Sequence, residues 1–313
     1  MAALPASTTT LAPDDAASPS TASPRWYPTL HVFRGIAAWT VVLLHASKIP
    51  GWPQNAVERV GLHHVANVGF EGVYLFFVLS GFLMVHITRG TRGPRAAWRF
   101  LLARAKRTVP PYWAALCCAT AYFCTDPVAW QELQIPPLTA KLFAQNMFTI
   151  DQHILGVSWT LTFEWMFYAG CALLVLFGLR AWWLIVPWAI WIGAHQPTDK
   201  GAANLAMSGL LIGAALGELV LRRSLIPWIA YPAAVVALVP LAAITTSYLW
   251  KVRALQLVLP LLLAPVVLAA IAYDQRHEPR YPRWLLLQGD YSYMIYLMHV
   301  PALWALARLG RVF

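Results

Sequence analysis

An all-α, polytopic transmembrane helical bundle is what this amino-acid sequence predicts, and three observations carry the prediction. Of the 313 residues, 59% are apolar and 12% charged, where a soluble domain carries about 25% charged residues. Long uncharged runs such as "CALLVLFGL" and "LQLVLPLLLAPVVLAAIAY" alternate with short basic or Pro-rich breaks, as expected when each crossing needs about 20 apolar residues. The runs also lack the alternation of apolar and polar residues that a membrane β-barrel requires.

Residues 1–28 are rich in Ala, Ser, Thr and Pro, with Asp14 and Asp15 and neither a basic start nor an apolar core. They do not form a signal peptide and are predicted to be a disordered cytoplasmic tail. The rest, 29–313, reads as a single transmembrane domain. Its first two spans are 29–47 and 68–88. Between Arg89 and Arg107 lie six Arg and one Lys with no acid. A third span, 109–125, follows. The region 126–156 is intermediate, with "DPVAWQELQIPP" polar and "AKLFAQNMFTI" amphipathic, and could hold a re-entrant or additional helix. Further spans are 157–178, 181–196, 203–221, 225–245, 254–273 and 289–309, which makes nine or ten membrane helices. Arg222 and Arg223 occupy one break and "DQRHEPRYPR" another.

Basic residues gathered in short loops mark the cytoplasmic side. The formal charge of +10 therefore reads as topology in a multi-pass protein of the inner cell membrane, with a cytoplasmic N-terminus and the lipid bilayer as its first partner. It does not indicate nucleic acid. Cys117, Cys118, Cys124 and Cys171 lack zinc-ligand spacing and are expected to be small buried apolar side chains. No metal is expected, and no internal repeat is present.

Ionisable residues within spans are expensive and by default mark function. Arg34 and His45 stand eleven positions apart, which places them roughly 20° from the same helix face and roughly 16 Å apart along it. They share a stripe without touching, a geometry suited to a long ligand. Arg34 could grip phosphate oxygens or snorkel at the helix end. His45 could take a proton from a hydroxyl or simply satisfy an interhelical hydrogen bond. Glu164, in "VSWTLTFEWMFY", needs a cation or a ligand hydroxyl. Trp159, Trp165, Phe167 and Tyr168 could form a sugar-stacking wall or an interfacial belt. In "LQGDYSYMIYLMHVP", Asp290 suits an N-cap, Ser292 falls in the first turn, and Tyr296 and His299 could form a polar seam.

At these residues the chain resembles the acyltransferase-3 family of integral membrane acyltransferases, from about residue 29 to 302. Five blocks stand in family order: "FRGIAAWTVVLLH", "GVYLFFVLSGFLM", "FLLARAKRTVPPYW", "SWTLTFEWMFY" and "GDYSYMIYLMHVP". The resemblance implies that Arg34 and His45 are the catalytic signature, supported by Glu164. It adds Ser80 and Gly81 from the second block, Arg104, Arg107, Pro110 and Tyr112 from the third, Ser158, Trp159 and Tyr168 from the fourth, and Ser292, Tyr296 and His299 from the last. Arg34, Arg104, Arg107 and Tyr112 would hold the donor. Tyr74 stands where family members carry an acid, and Glu71 lies three positions earlier. The chain looks like the short stand-alone members, some of which act in exopolysaccharide production.

The resulting expectation is O-acyl transfer from acyl-CoA, first of all acetyl-CoA, to a sugar hydroxyl of a polysaccharide, lipid-linked glycan or other glycosylated acceptor. Acyl-CoA would be a co-substrate, with no cofactor bound permanently. His45 would act as general base or accept the acyl group itself. The competing readings are a transporter or flippase of a lipid-linked glycan and a non-catalytic scaffold. No inverted repeat supports transport.

Overall fold

The computed structural model describes residues 26–48, 69–149, 154–194, 207–220, 227–246 and 253–312. The first 25 residues of the expected tail and the Arg222–Arg223 break lie outside them. The described residues form twelve α-helices and one 3-10 turn, with no strand. These are α1 (Pro28–Ala46), α2 (Gly69–Thr88), α3 (Pro94–Thr125), α4 (Pro127–Glu132), α5 (Ala140–Met147), the turn Gly156–Ser158, α6 (Trp159–Phe177), α7 (Trp182–Ala194), α8 (Ser208–Val220), α9 (Pro227–Thr246), α10 (Arg253–His277), α11 (Arg283–Asp290) and α12 (Ser292–Val312). Among the described residues, four helical stretches are long and apolar enough to cross a bilayer: Pro28–Ala46, Glu71–Thr88, Gly156–Phe177 and Leu257–His277.

Local sequence explains several boundaries. Prolines open α1, α3 and α4, where a missing N–H is harmless. Gly178 ends α6 at φ +65° and donates to the Leu174 and Val175 carbonyls. The start of α1 is tied down from afar. The Thr29 N–H donates to Asp274 Oδ2 at 3.0 Å, the Thr29 hydroxyl donates to Oδ1, and the Tyr281 hydroxyl lies 2.9 Å from the same Thr29 oxygen. Asp274, assigned from the sequence to a basic break, is thus the buried anchor of the first helix.

Two glycine-lined contacts fix α2. Gly209, Gly213 and Gly217 recur on α8 facing α2, and Gly81 answers from α2. A Cβ on Gly81 would overlap the Leu210 carbonyl and one on Gly213 the Val78 carbonyl. Small residues at this spacing let two apolar helices touch backbone to backbone, the main source of helix association in lipid. On the other side Gly69 meets Thr40 and Leu44, and Gly72 meets Ala37 and Val41, so α1 runs antiparallel to α2.

Four expectations need correction. The third span is the second half of a 32-residue helix, α3, that starts at Pro94 and passes through Pro110 and Pro111 without ending. Its basic front half is therefore helical rather than a loop. The region 126–156 supplies no additional crossing among its described residues, because α4 and α5 have six and eight residues. Only Cys171 is buried; Cys117, Cys118 and Cys124 are exposed, since α3 buries a single stripe there through Ala115, Leu116, Ala119 and Phe123. Asp290 is the last residue of α11, not the cap of α12, and faces His31 Nδ1 at 3.4 Å.

Candidate active site

Helices α1, α2, α6 and α12 line an inner chamber. Arg34, Phe76, Ser80, Thr160, Glu164 and Tyr296 are among the residues that line it. A second chamber adjoins it and adds Arg104, Arg107 and Tyr168. Arg34, Ser80, Glu164 and Tyr293 face both spaces, so these four side chains form the neck between them.

Each neck group has a physical reason for its position. Ser80 Oγ donates to Glu164 Oε1 at 3.2 Å, and Tyr168 hydrogen-bonds the same carboxylate. Ser80 thus holds the carboxylate across the α2–α6 seam and Tyr168 from the next turn of α6, which softens the penalty for an acid in an apolar bundle. The Tyr293 hydroxyl donates to the Thr108 carbonyl at 3.0 Å, joining α12 to α3. Arg34 interacts electrostatically with Arg107 and Glu164 but forms no ion pair with a described carboxylate, so its forked donors face the chambers. Arg104 stacks over the Phe100 ring at 5.9 Å, leaving its Nε buried without a hydrogen bond. Three guanidinium groups against one carboxylate give the second chamber a positive interior suited to an anion.

Beyond the inner chamber stands a histidine pair. The Tyr296 hydroxyl donates to the Val157 carbonyl at 2.9 Å and accepts from Thr160 at 3.2 Å. Its ring lies 5.8 Å from that of His299, and His299 meets His45 edge to face at 4.7 Å. His45 Nδ1 lies 3.0 Å from the Val41 carbonyl and His299 Nδ1 lies 2.5 Å from the Tyr296 carbonyl. A carbonyl only accepts, so both Nδ1 atoms carry the proton and both Nε2 atoms present lone pairs. His299 Nε2 is buried with no hydrogen-bond partner. This is the tautomer a general base needs.

Arg34, Arg104, Arg107, Ser80, Glu164, Tyr168 and Tyr296 therefore come together around joined chambers, with His299 beside Tyr296 and His45 against His299. Other expected site residues do not reach them. Tyr112 is buried with its hydroxyl on the Asn146 carbonyl at 2.5 Å and lines a separate groove with Trp113. Ser158 is buried at the foot of α6, and Ser292 Oγ donates to the Gly289 carbonyl at 2.7 Å. Trp159 packs edge to face on Phe77 at 6.2 Å, Trp165 turns to the Tyr112 groove, and Phe167 is buried against Trp188, so the aromatics form no common wall. Tyr74 and Glu71 are both buried in α2. Tyr293 went unremarked, although its i, i+3 spacing from Tyr296 puts both on one face. Among the described residues no three His, Cys, Asp or Glu converge as a metal site.

The exopolysaccharide production protein ExoZ of Rhizobium meliloti (strain 1021) is 34% identical over 119 residues, which are 37% of this chain and 36% of the relative. The match thus spans about a third of that relative's length. No solved structure matches the chain. The family model described as an acyltransferase domain covers residues 27–313, and with a match over nearly its whole length the chain belongs to the acyltransferase-3 family.

Proposed function

We propose that the protein transfers an acyl group, first of all acetyl, from acyl-CoA to a sugar hydroxyl of an exopolysaccharide or its lipid-linked precursor. The carrying observation is the alignment of groups: three arginines at one end of the joined chambers and a base-ready histidine pair beyond the other. Nine helices, α1, α2, α3, α6 to α10 and α12, serve as crossings. The Tyr27 ring lies 5.2 Å from His86, so the start of α1 and the basic turn after α2 share one end. The positive-inside preference makes that end cytoplasmic.

The donor enters from there. Arg104, Arg107 and Arg34 bind its diphosphate, and the pantetheine arm runs through the neck so that the thioester stands near His45. His45 Nε2 removes the proton of the acceptor hydroxyl as the new O–C bond forms. The C–S bond breaks, and the thiolate takes the proton from the imidazolium. In the two-step variant His45 Nε2 attacks the acyl carbon, the C–S bond breaks and coenzyme A leaves as the thiolate; the sugar oxygen then displaces the imidazole, and the hydroxyl proton passes to the thiolate. Glu164 orients Arg34 and the acceptor.

The test is direct. Purified protein in detergent receives labelled acetyl-CoA and candidate glycans, and acylated sugar is sought by mass spectrometry. Product formed without vesicles excludes obligatory transport; product undiminished in His45→Ala rejects the catalytic assignment.

A further inference from the structure

The seam between α2 and α6 continues outward past the two chambers. Ser80 and Glu164 form the neck, Met84 and Tyr168 line the second chamber, and Thr88 and Val175 line a third cavity. The two helices run parallel, so the three spaces lie in file. Thr88 stands eight residues beyond Ser80, roughly 12 Å along the helix.

This outer cavity is lined by Arg89, Arg92 and Arg180, with Glu218 as the acid. Arg180 pairs with Glu218 at 3.2 Å, and the Ala181 N–H donates to the same carboxylate at 2.9 Å. The lining thus holds three arginines and one carboxylate. Its frame is built rather than loose. The Gly93 N–H donates to the Val175 carbonyl at 2.9 Å, which docks the arginine turn on the end of α6. Gly178, at φ +65°, has no side chain, and a Cβ there would press on Arg92 Cδ at 3.1 Å. Two turns, after α2 and after α6, thus bring Arg89, Arg92 and Arg180 to the lining of one space.

Cations consequently stand at two levels, Arg34, Arg104 and Arg107 inside and Arg89, Arg92 and Arg180 outside. Coenzyme A has matching chemistry: a diphosphate next to the pantetheine arm and a separate ribose 3′-phosphate one nucleoside further out. We infer that the outer arginine cavity binds the ribose 3′-phosphate end of the donor, so the chain tells coenzyme A from its dephospho form. This rests on the proposed use of acyl-CoA. A phosphate at this position could also come from an anionic phospholipid headgroup, and the experiment separates the two sources.

Binding of CoA and of dephospho-CoA to the full chain in nanodiscs is measured by isothermal titration, with and without phosphatidylglycerol in the discs. The wild-type protein should bind CoA about tenfold more tightly, the usual size of a hydrogen bond to a charged group. Arg89→Gln combined with Arg92→Gln should bind both ligands with the weaker affinity, while Arg99→Gln, which removes an arginine outside the cavity, should keep the preference. Equal wild-type affinity for the two ligands overturns this assignment and leaves the donor reading intact. Binding of neither overturns both. A double variant that keeps the preference but no longer retains phosphatidylglycerol overturns the assignment in favour of the headgroup. Acyl transfer from both donors then reports on the donor reading independently of the phosphate site.

Discussion

Helix α2 meets its neighbours in two opposite ways, and the boundary falls between adjacent residues. Gly81 presses on the Leu210 carbonyl of α8, while Ser80, one position earlier, lines both inner chambers. On the α8 side the glycines let backbone touch backbone and leave no room. On the α6 and α12 side α2 presents side chains instead, Ser80 reaching Glu164 and Phe76 meeting Tyr296, so the helices stand apart around empty space. The contrast shows how a chamber persists in an apolar bundle. A closed, side-chain-free contact holds the helix in place, so its other face need not collapse onto its partners.

The sharpest way to separate the two faces is to remove chemistry without touching packing. His45→Ala should lower acyl transfer by about 100- to 10,000-fold, the usual range for general-base help, with the thermal midpoint of the detergent-solubilised protein nearly unchanged. Gly213→Leu attacks the closed face instead. Its branched side chain must displace the Val78 carbonyl, and overpacking of this kind costs about 1–3 kcal/mol, visible as a lowered midpoint and a smaller yield of monodisperse protein. If Gly213→Leu lost activity with an unaltered midpoint, the division of labour would fail. Arg34→Lys keeps the charge but loses the fork, and should raise the donor KM about tenfold while kcat for saturating donor changes less. Ser80→Ala removes one hydrogen bond to Glu164, and should shift the thermal midpoint by the equivalent of about 1 kcal/mol and activity by only a few-fold.

The first helix was the most legible part of the site. Its 3.6-residue period already placed Arg34 and His45 on one stripe, and that stripe does face α12: Arg34 across a chamber lined by Tyr293 and Tyr296, His45 against His299. Glu164 was legible as an intruder in an apolar run, but its partners were not. An ion pair looked natural, whereas Ser80 and Tyr168 hold the carboxylate. Tyr112 illustrates the opposite failure. The resemblance placed Tyr112 with the donor arginines, whereas α3 sets its hydroxyl on the Asn146 carbonyl. The extent of α3 escaped because hydropathy marks where a helix is greasy, not where it begins. Prolines side by side read as a break even though the helix passes through them.

Composition and periodicity alone determined that the chain is a bundle of apolar helices, that basic residues gather in the breaks between apolar runs, and which faces of a helix carry polar groups. Those properties depend on hydration and on the geometry of a single helix, both local along the chain. The choice of neighbour is different in kind. Ser80 meets Glu164 over 84 positions, Thr29 meets Asp274 over 245, and the glycines of α8 find α2 from over a hundred residues away. A helix face selects its partner by shape and by satisfied hydrogen bonds, and both exist only once the whole bundle has closed.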